Sequence, residues 1–345
     1  MQQDTRQPVA PNDVVGLLQQ LNAHTMLLRL LTSLAEVGLA DRLASGPATP
    51  AALAAALDLD AGRLHRVLRF VASYGFFRED EAGRYHLSPR AEALRADVPG
   101  SVRERLRQPW HDLLWRSYEH LPDALRGGPN PFERAHGKPV FEHLAEHPEV
   151  NAIFDRSMAR LSQIENPVIA AAWPFGGARL VVDVAGGHGG LLAAVLDTHP
   201  GTSALLYDQP QVVAAPEALR EPRFAGRWRA EGGDFFQHVP AGGDVYVLKR
   251  ILHDWDDARA LEILRRCRAA MTPAARLLVI DAVIAPGNDP DPNKFLDMNM
   301  LALTPGRERS ASELRDLCGA AGLAVERLLP LPAPATLSVV EARLA

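Results

Sequence analysis

From Arg179 onward the chain alternates short apolar runs with amphipathic stretches, and this alternation restricts its fold more than any other feature. The runs RLVVDVA, SALLYDQP, RWRAEGGDFF, DVYVLKR, ARLLVIDAVI, AVERLLPL and TLSVVEARL read as strands. LLAAVLDTHP, DDARALEILRRCRAAM and SASELRDLCGAAG carry apolar residues at helical spacing and read as the helices among them. Strands separated by helices form a mostly parallel sheet, because a parallel neighbour needs a crossover long enough to hold a helix. Only the short link PLPAPA joins the last two strands. That is too short for a crossover, so the final strand is expected to run antiparallel to its neighbour.

Upstream the pattern is helical. Residues 14 to 45 carry leucines and other apolar residues at helical spacing, closed by Gly46 and Pro47. A helix with Pro50 near its start follows, then a break at Asp58 to Asp60, then the helix AGRLHRVLRFVASYGFF. In FFREDEAGRYHLSPRAEAL two short runs flank acidic residues and a glycine, a hairpin signal, so helix, turn, helix and wing occur in order. Arg63, His65, Arg66 and Arg69 on the second helix would serve DNA binding in a regulator, or simply form a solvated face. The solvated face is the expected reading, because some 200 further residues follow the α/β pattern of an enzyme. The surplus of apolar residues in the first helices is expected to be covered by a second copy of the chain, giving a homodimer. Residues 100 to 175 read as helical pieces bridging two domains.

Composition excludes several classes. At 345 residues the chain is long enough for two domains, and a formal net charge of -5 gives no footprint for nucleic acid. No run reaches the roughly 18 apolar residues of a membrane span, and the start, MQQDTRQPVAPND, does not have the basic-then-apolar form of a leader. Cys267 and Cys318 lack metal-ligand or CxxC spacing, and no histidine pair has a zincin spacing, so no metal is expected. A reduced, cytoplasmic setting follows as an expectation.

Two segments carry chemistry. VVDVAGGHGG, Val181 to Gly190, is a strand running through a glycine turn into a helix, which brings backbone amides and a helix start close to a ligand. Asp208 ends the next strand nineteen residues after Gly189, near the ~20 expected of a carboxylate that accepts ribose hydroxyls. Asp234 and Phe235 follow the third strand, where an acid can meet an adenine amino group and a ring can pack on the base. The plainer role for each acid is a helix N-cap. The second segment, LKRILHDWDD, sets His253 where a strand hands over to a helix, the place where open α/β sheets gather their active sites. Taken alone, His253 is equally a residue of a helix start capped by Asp254 or Asp256.

The segments DVAGGHG, LLYDQP, GGDFF, LKRILHDWDD and PGRERSASEL, in this order, resemble the S-adenosylmethionine-dependent O-methyltransferases of the plant caffeate and bacterial antibiotic type. The resemblance spans nearly the whole chain. It implies a winged-helix dimerisation domain over residues 1–100, a helical bridge over 101–175 that contributes to the substrate pocket, and a Rossmann-like methyltransferase domain over 176–345. It also implies that S-adenosylmethionine is held by Asp183, Ala185, Gly186, Gly187, Asp208, Gly233, Asp234, Phe235, Lys249 and Ser162. His253 becomes the general base, flanked by Asp281 and Glu308. Plant members usually have glutamate at the first flanking position, so the shorter Asp281 implies a longer or water-bridged contact with His253. Ala185 replaces the family's usual first glycine, and the turn is expected to avoid the φ values that alanine resists. An aromatic acceptor is expected against Phe154, Met158, Asp297, Asn299 and Met300, with Trp110 and Trp115 as a further wall. N-methylation, a non-methylating relative and a winged-helix ligand-sensing regulator stand as alternatives.

Overall fold

The computed structural model describes residues 11–345, except the side chains of residues 11, 12 and 108–110. The reading of the first residues as lacking a leader, and the wall expected from the Trp110 side chain, therefore lie outside the described residues. Two compact units are present: residues through Asp112 with Glu149–Ser157, and Leu113–Pro148 with Met158–Ala345.

In the first unit, the helix Pro11–Glu36 is followed by Gly38 at φ 69, a left-handed break that glycine makes without steric cost, and the short helix Leu39–Leu43. Thr49 caps Pro50–Leu57 by accepting the Ala52 amide, and Asp60 caps Ala61–Ser73 by accepting the Arg63 amide at 2.7 Å. Strands β1 (Phe77–Glu79) and β2 (Tyr85–Leu87) pair antiparallel as the wing. Leu39, Leu53, Leu68, Val71, Phe77 and Tyr85 close this core. Arg63, Arg66 and Arg69 lie on the exposed side of their helix, opposite Leu64, Leu68 and Val71. Apolar residues of the first helix, including Val15, Leu18, Leu21 and Met26, are each more than half exposed.

The second unit is built on a seven-stranded sheet. Its strands are β3 (Leu180–Val184), β4 (Ser203–Asp208), β5 (Trp228–Gly232), β6 (Val245–Lys249), β7 (Arg276–Asp281), β10 (Leu323–Pro330) and β11 (Ser338–Leu344). Two-residue strands β8 (Val283–Ile284) and β9 (Arg309–Ser310) pair separately. The spatial order is β10-β11-β7-β6-β3-β4-β5; the five from β7 to β5 are parallel, and β11 is antiparallel to both its neighbours. Parallel strands buried on both faces need apolar residues on both, and VVDV and VYVL supply them. One face packs Val182, Tyr207, Leu248 and Val279 under the helices Asp257–Ala270 and Ala311–Ala320. The other packs Val181, Leu206, Val247 and Ile280 with Ile169 and the helix Gly190–Thr198. Each such valine or leucine stabilises the fold by about 1.5–3 kcal/mol. Strand order reverses between β3 and β6, which opens a crevice at their carboxyl ends.

The stretch 101–175 is divided between the two units. Arg103–Leu106 belongs to the first unit, where the Arg103 guanidinium donates to the Ala35 carbonyl at 3.0 Å. Pro131–His136 belongs to the second, where Asn130 donates to the Thr304 carbonyl at 2.7 Å. The long helix Pro148–Ala172 divides between the units after Ser157.

Candidate active site

The crevice lies where β3 and β6 end, and its cofactor side starts at the glycine turn. The Tyr207 carbonyl accepts the Ala185 amide at 2.7 Å, drawing the chain sharply over β4. This tight return places Ala185 at φ 60, so the expectation that the turn avoids such values is overturned. The left-handed conformation costs an alanine about 1–2 kcal/mol. A Cβ at Gly186 would lie 2.6 Å from the Asp183 carboxyl carbon and 2.7 Å from Leu206, so only glycine fits. Gly187, at φ 59, gives its amide to Asp208 Oδ2 at 2.8 Å, while Asp208 Oδ1 accepts the Gln209 amide. Asp208 is thus fixed at the end of β4 with lone pairs still free for ribose hydroxyls. Asp183 is buried, which pushes its carboxyl up to about 7.

Gly233 packs on the Tyr207 ring, where a side chain would collide. Asp234 is exposed and accepts the Phe236 amide at 2.8 Å. Half-buried Phe235 lies 4.7 Å from Phe236 with the rings tilted at 60°, and meets Trp255 edge-on at 6.2 Å. These residues lie at successive strand ends and fit an adenosyl group: a cradle that added Cβ atoms would fill, an aimed carboxylate, and a ring beside an acid.

The other side starts from His253, on a single 3₁₀ turn, Leu252–Asp254, after β6. Asp256, not Asp254, caps the following helix by accepting the Arg259 amide, so Asp254 remains free to face the imidazole. His253 Nδ1 lies 2.7 Å from Glu308 Oε1, and both residues are buried. Nε2 lies 3.7 Å from Asp254 Oδ1. Burial opposes the imidazolium, but the carboxylates of Asp254, Glu308 and Asp281 outweigh it and hold His253 at about 9. Asp281, at the end of β7, is raised by burial to about 6, and its Oδ1 is buried without a hydrogen-bond partner. Its influence on His253 is one of charge.

Glu308 takes its position from the backbone, because its amide donates to Asp297 Oδ1 at 2.9 Å. Asn299 accepts the Tyr118 hydroxyl at 2.7 Å, and Met300 is buried. Met158 is half-buried in the same unit, whereas Phe154 belongs to the first unit. Ser162 accepts Lys249 Nζ at 3.1 Å.

Sequence reasoning passed over several residues here. Glu165 is buried and pairs with Lys249 at 3.2 Å and Arg250 at 2.5 Å; it lay unmarked inside a helical run. Arg309 is buried and donates to the Leu252 and Trp255 carbonyls, both at 2.9 Å, and to Asp257, so it wraps the His253 turn from outside. Its only sequence signal was its place next to Glu308. Gly306 is equally tied to that turn, since any Cβ would strike the His253 carbonyl.

A Rossmann-like sheet with a glycine turn at its switch point and a buried histidine–carboxylate pair beside it defines a nucleotide-binding class of α/β protein. The comparisons narrow that class. The O-methyltransferase domain model matches residues 118–324, and an O-methyltransferase dimerisation domain model matches residues 18–97. The chain is 38% identical over 95% of both chains to a phenazine O-methyltransferase from Lysobacter antibioticus. A methyltransferase of calicheamicin biosynthesis, solved in its S-adenosylhomocysteine-bound form, superposes with a TM-score of 0.86 at 37% identity, covering 98% of this chain and 100% of that one. An O-methyltransferase from neocarzinostatin biosynthesis, solved with S-adenosylmethionine and 2-hydroxy-5-methyl naphthoic acid, gives 0.80 at 33% identity, covering 94% and 96%. The chain belongs to the O-methyltransferase family and is an S-adenosylmethionine-dependent methyltransferase.

Proposed function

We propose that this enzyme methylates a phenolic hydroxyl of an aromatic natural product, with His253 as the general base. The observation that carries this reading is the buried His253–Glu308 pair at 2.7 Å, set at the end of β6 beside the glycine turn. Asp183, Ala185, Gly186, Gly187, Asp208 and Phe235 would hold S-adenosylmethionine, which would supply an electrophilic methyl group. Glu308 accepts from Nδ1–H and so selects the tautomer whose Nε2 lone pair is free. The acceptor hydroxyl would give its proton to Nε2 as its oxygen takes the methyl group and the carbon–sulfur bond breaks, leaving a neutral thioether. Asp254, 3.7 Å from Nε2, and Asp281 then stabilise the imidazolium.

Magnitudes favour this arrangement. An unperturbed histidine lies about 3.5 pKa units below a phenol, which makes proton transfer uphill by roughly 5 kcal/mol. At about 9, His253 nearly closes that gap. The corresponding cost is that the cofactor-free enzyme holds His253 mostly protonated at pH 7, and the positive charge of the donor favours release of that proton.

The aromatic acceptor is supported by the related enzymes, whose names refer to phenazine and naphthoic acid compounds. Met158, Asn299 and Met300, with Tyr118, offer the apolar and hydrogen-bonding surface such a ring needs. The dimerisation domain and the exposed face of Pro11–Glu36 support a homodimer. The buried, unpaired cysteines Cys267 and Cys318 fit a cytoplasmic setting. The test is His253→Ala with a panel of phenols, read by mass spectrometry as gain of CH2. Loss of turnover with donor binding retained is expected; an unchanged rate removes the base assignment.

A further inference from the structure

The end of β6 presents an electrostatic conflict. Lys249 and Arg250 are consecutive cations, with side chains 10% and 16% exposed, in a site that receives a cationic sulfonium. Neighbouring residues of a strand point to opposite faces. Here Arg250 adopts φ 55, and this left-handed turn brings both side chains onto the same carboxylate, Glu165. Arg250 binds it with two nitrogens, at 2.5 and 3.2 Å, and Lys249 approaches at 3.2 Å.

The helix Pro148–Ala172 delivers that carboxylate by its periodicity. Ser162, Glu165 and Asn166 share one face at spacings of three and four residues, with core residue Ile169 one turn on. Ser162 holds Lys249, and Asn166 lies beside Gly190 at the start of the helix that follows the glycine turn. The Lys249 charge also reaches Asp183, at the foot of that turn. The field of these cations therefore extends into the donor site.

We propose that Glu165 is the internal counter-ion of the donor site: it neutralises part of the Lys249–Arg250 charge and so allows a cationic sulfonium to bind beside two fixed cations. The proposal rests on the donor-site reading above and adds a residue to it. Its signature is selective. S-adenosylmethionine carries the sulfonium charge, whereas S-adenosylhomocysteine has a neutral thioether and otherwise makes the same contacts. Loss of one negative charge penalises the first and largely spares the second.

Isothermal titration calorimetry of the full-length protein with each compound tests this on the wild type, on Glu165→Gln, and on Glu165→Gln combined with Lys249→Met, which removes one cation with the anion. The single variant is expected to lose about tenfold more affinity for S-adenosylmethionine than for S-adenosylhomocysteine. The double variant is expected to return the ratio of the two constants to within about threefold of wild type, because both compounds lose any Lys249 contact equally. Equal weakening of both ligands, no change in either, or no return of the ratio in the double variant overturns the proposal. Thermal melts report folding. If only the single variant fails to fold, the ratio in the double variant decides; if both fail, Glu165 is a folding element and the proposal falls. A wild type that binds neither compound sinks the donor-site reading itself, whereas an active His253→Ala sinks only the base.

Discussion

The carboxylates that follow β4 and β5 are held in the opposite way from Asp281 and Glu308, whereas Asp183, at the end of β3, is buried like the latter pair. At the ends of β4 and β5, Asp208 and Asp234 are half-buried or exposed, and each already accepts backbone amides. Around β6 and β7, Asp281 and Glu308 are buried, and each keeps one oxygen without a partner. On the first side the strand-end carboxylates are already tied to backbone amides, with the charges of Glu165, Lys249 and Arg250 lying behind them. The second side keeps carboxylate charge close to one imidazole, an arrangement suited to the base role proposed for His253.

Mutations on the two sides should therefore fail differently. The largest effect is expected from His253→Ala, a loss of roughly 10²–10⁴-fold in kcat with donor affinity retained, measured by steady-state kinetics and calorimetry. On the cofactor side, Gly186→Ala drives a methyl into Asp183 and Leu206. It is expected to weaken S-adenosylmethionine and S-adenosylhomocysteine alike by about tenfold or more; retained affinity would show that the turn yields. If binding is lost on the base side instead, the contrast between the two sides is wrong.

Glu308→Gln keeps an acceptor for Nδ1 but removes a charge. Because Glu308 raises the His253 pKa, its loss should move that pKa down from about 9 and lower the plateau rate by about tenfold. In the wild type, activity should increase with pH through neutrality as His253 gives up its resting proton. The variant should level off at lower pH, and a profile superimposable on wild type would remove the coupling. Imidazole NMR titration gives a direct reading: about 9 without donor, and lower when donor is bound. The smallest effect is expected from Ala185→Gly, which relieves the left-handed strain at the expense of chain entropy. A gain of at most about 1 kcal/mol in thermal stability is anticipated, read as a small rise in Tm.

Sequence made the sheet legible because each strand of the second unit carries its own apolar run and each crossover its own helical period. The antiparallel β11 followed from the length of PLPAPA alone. His253 and Glu308 were found through local segments. Glu165, Arg250 and Arg309 were not, because their significance arises from contacts across 85 and 57 positions of chain. Nothing in an amphipathic helix distinguishes a glutamate that faces water from one that neutralises two cations. Ala185 misled for the opposite reason: residue preference argued against a left-handed turn, but the Tyr207 carbonyl and the close approach of Gly186 to Asp183 impose it. Residues 101–175 divide between the two units because their short helices bond to residues far away in the chain, as Arg103 does to Ala35 and Asn130 to Thr304.

Strand β11 follows β10 along the chain but lies between it and β7. While the protein is being made on the ribosome, β7 must therefore wait with a bare edge until residues 338–344 emerge. An interrupted translation product would present that edge, with Leu277 and Val279 along it, to other nascent chains. A nonsense codon upstream of Ser338 is therefore expected to yield aggregates instead of a weak enzyme.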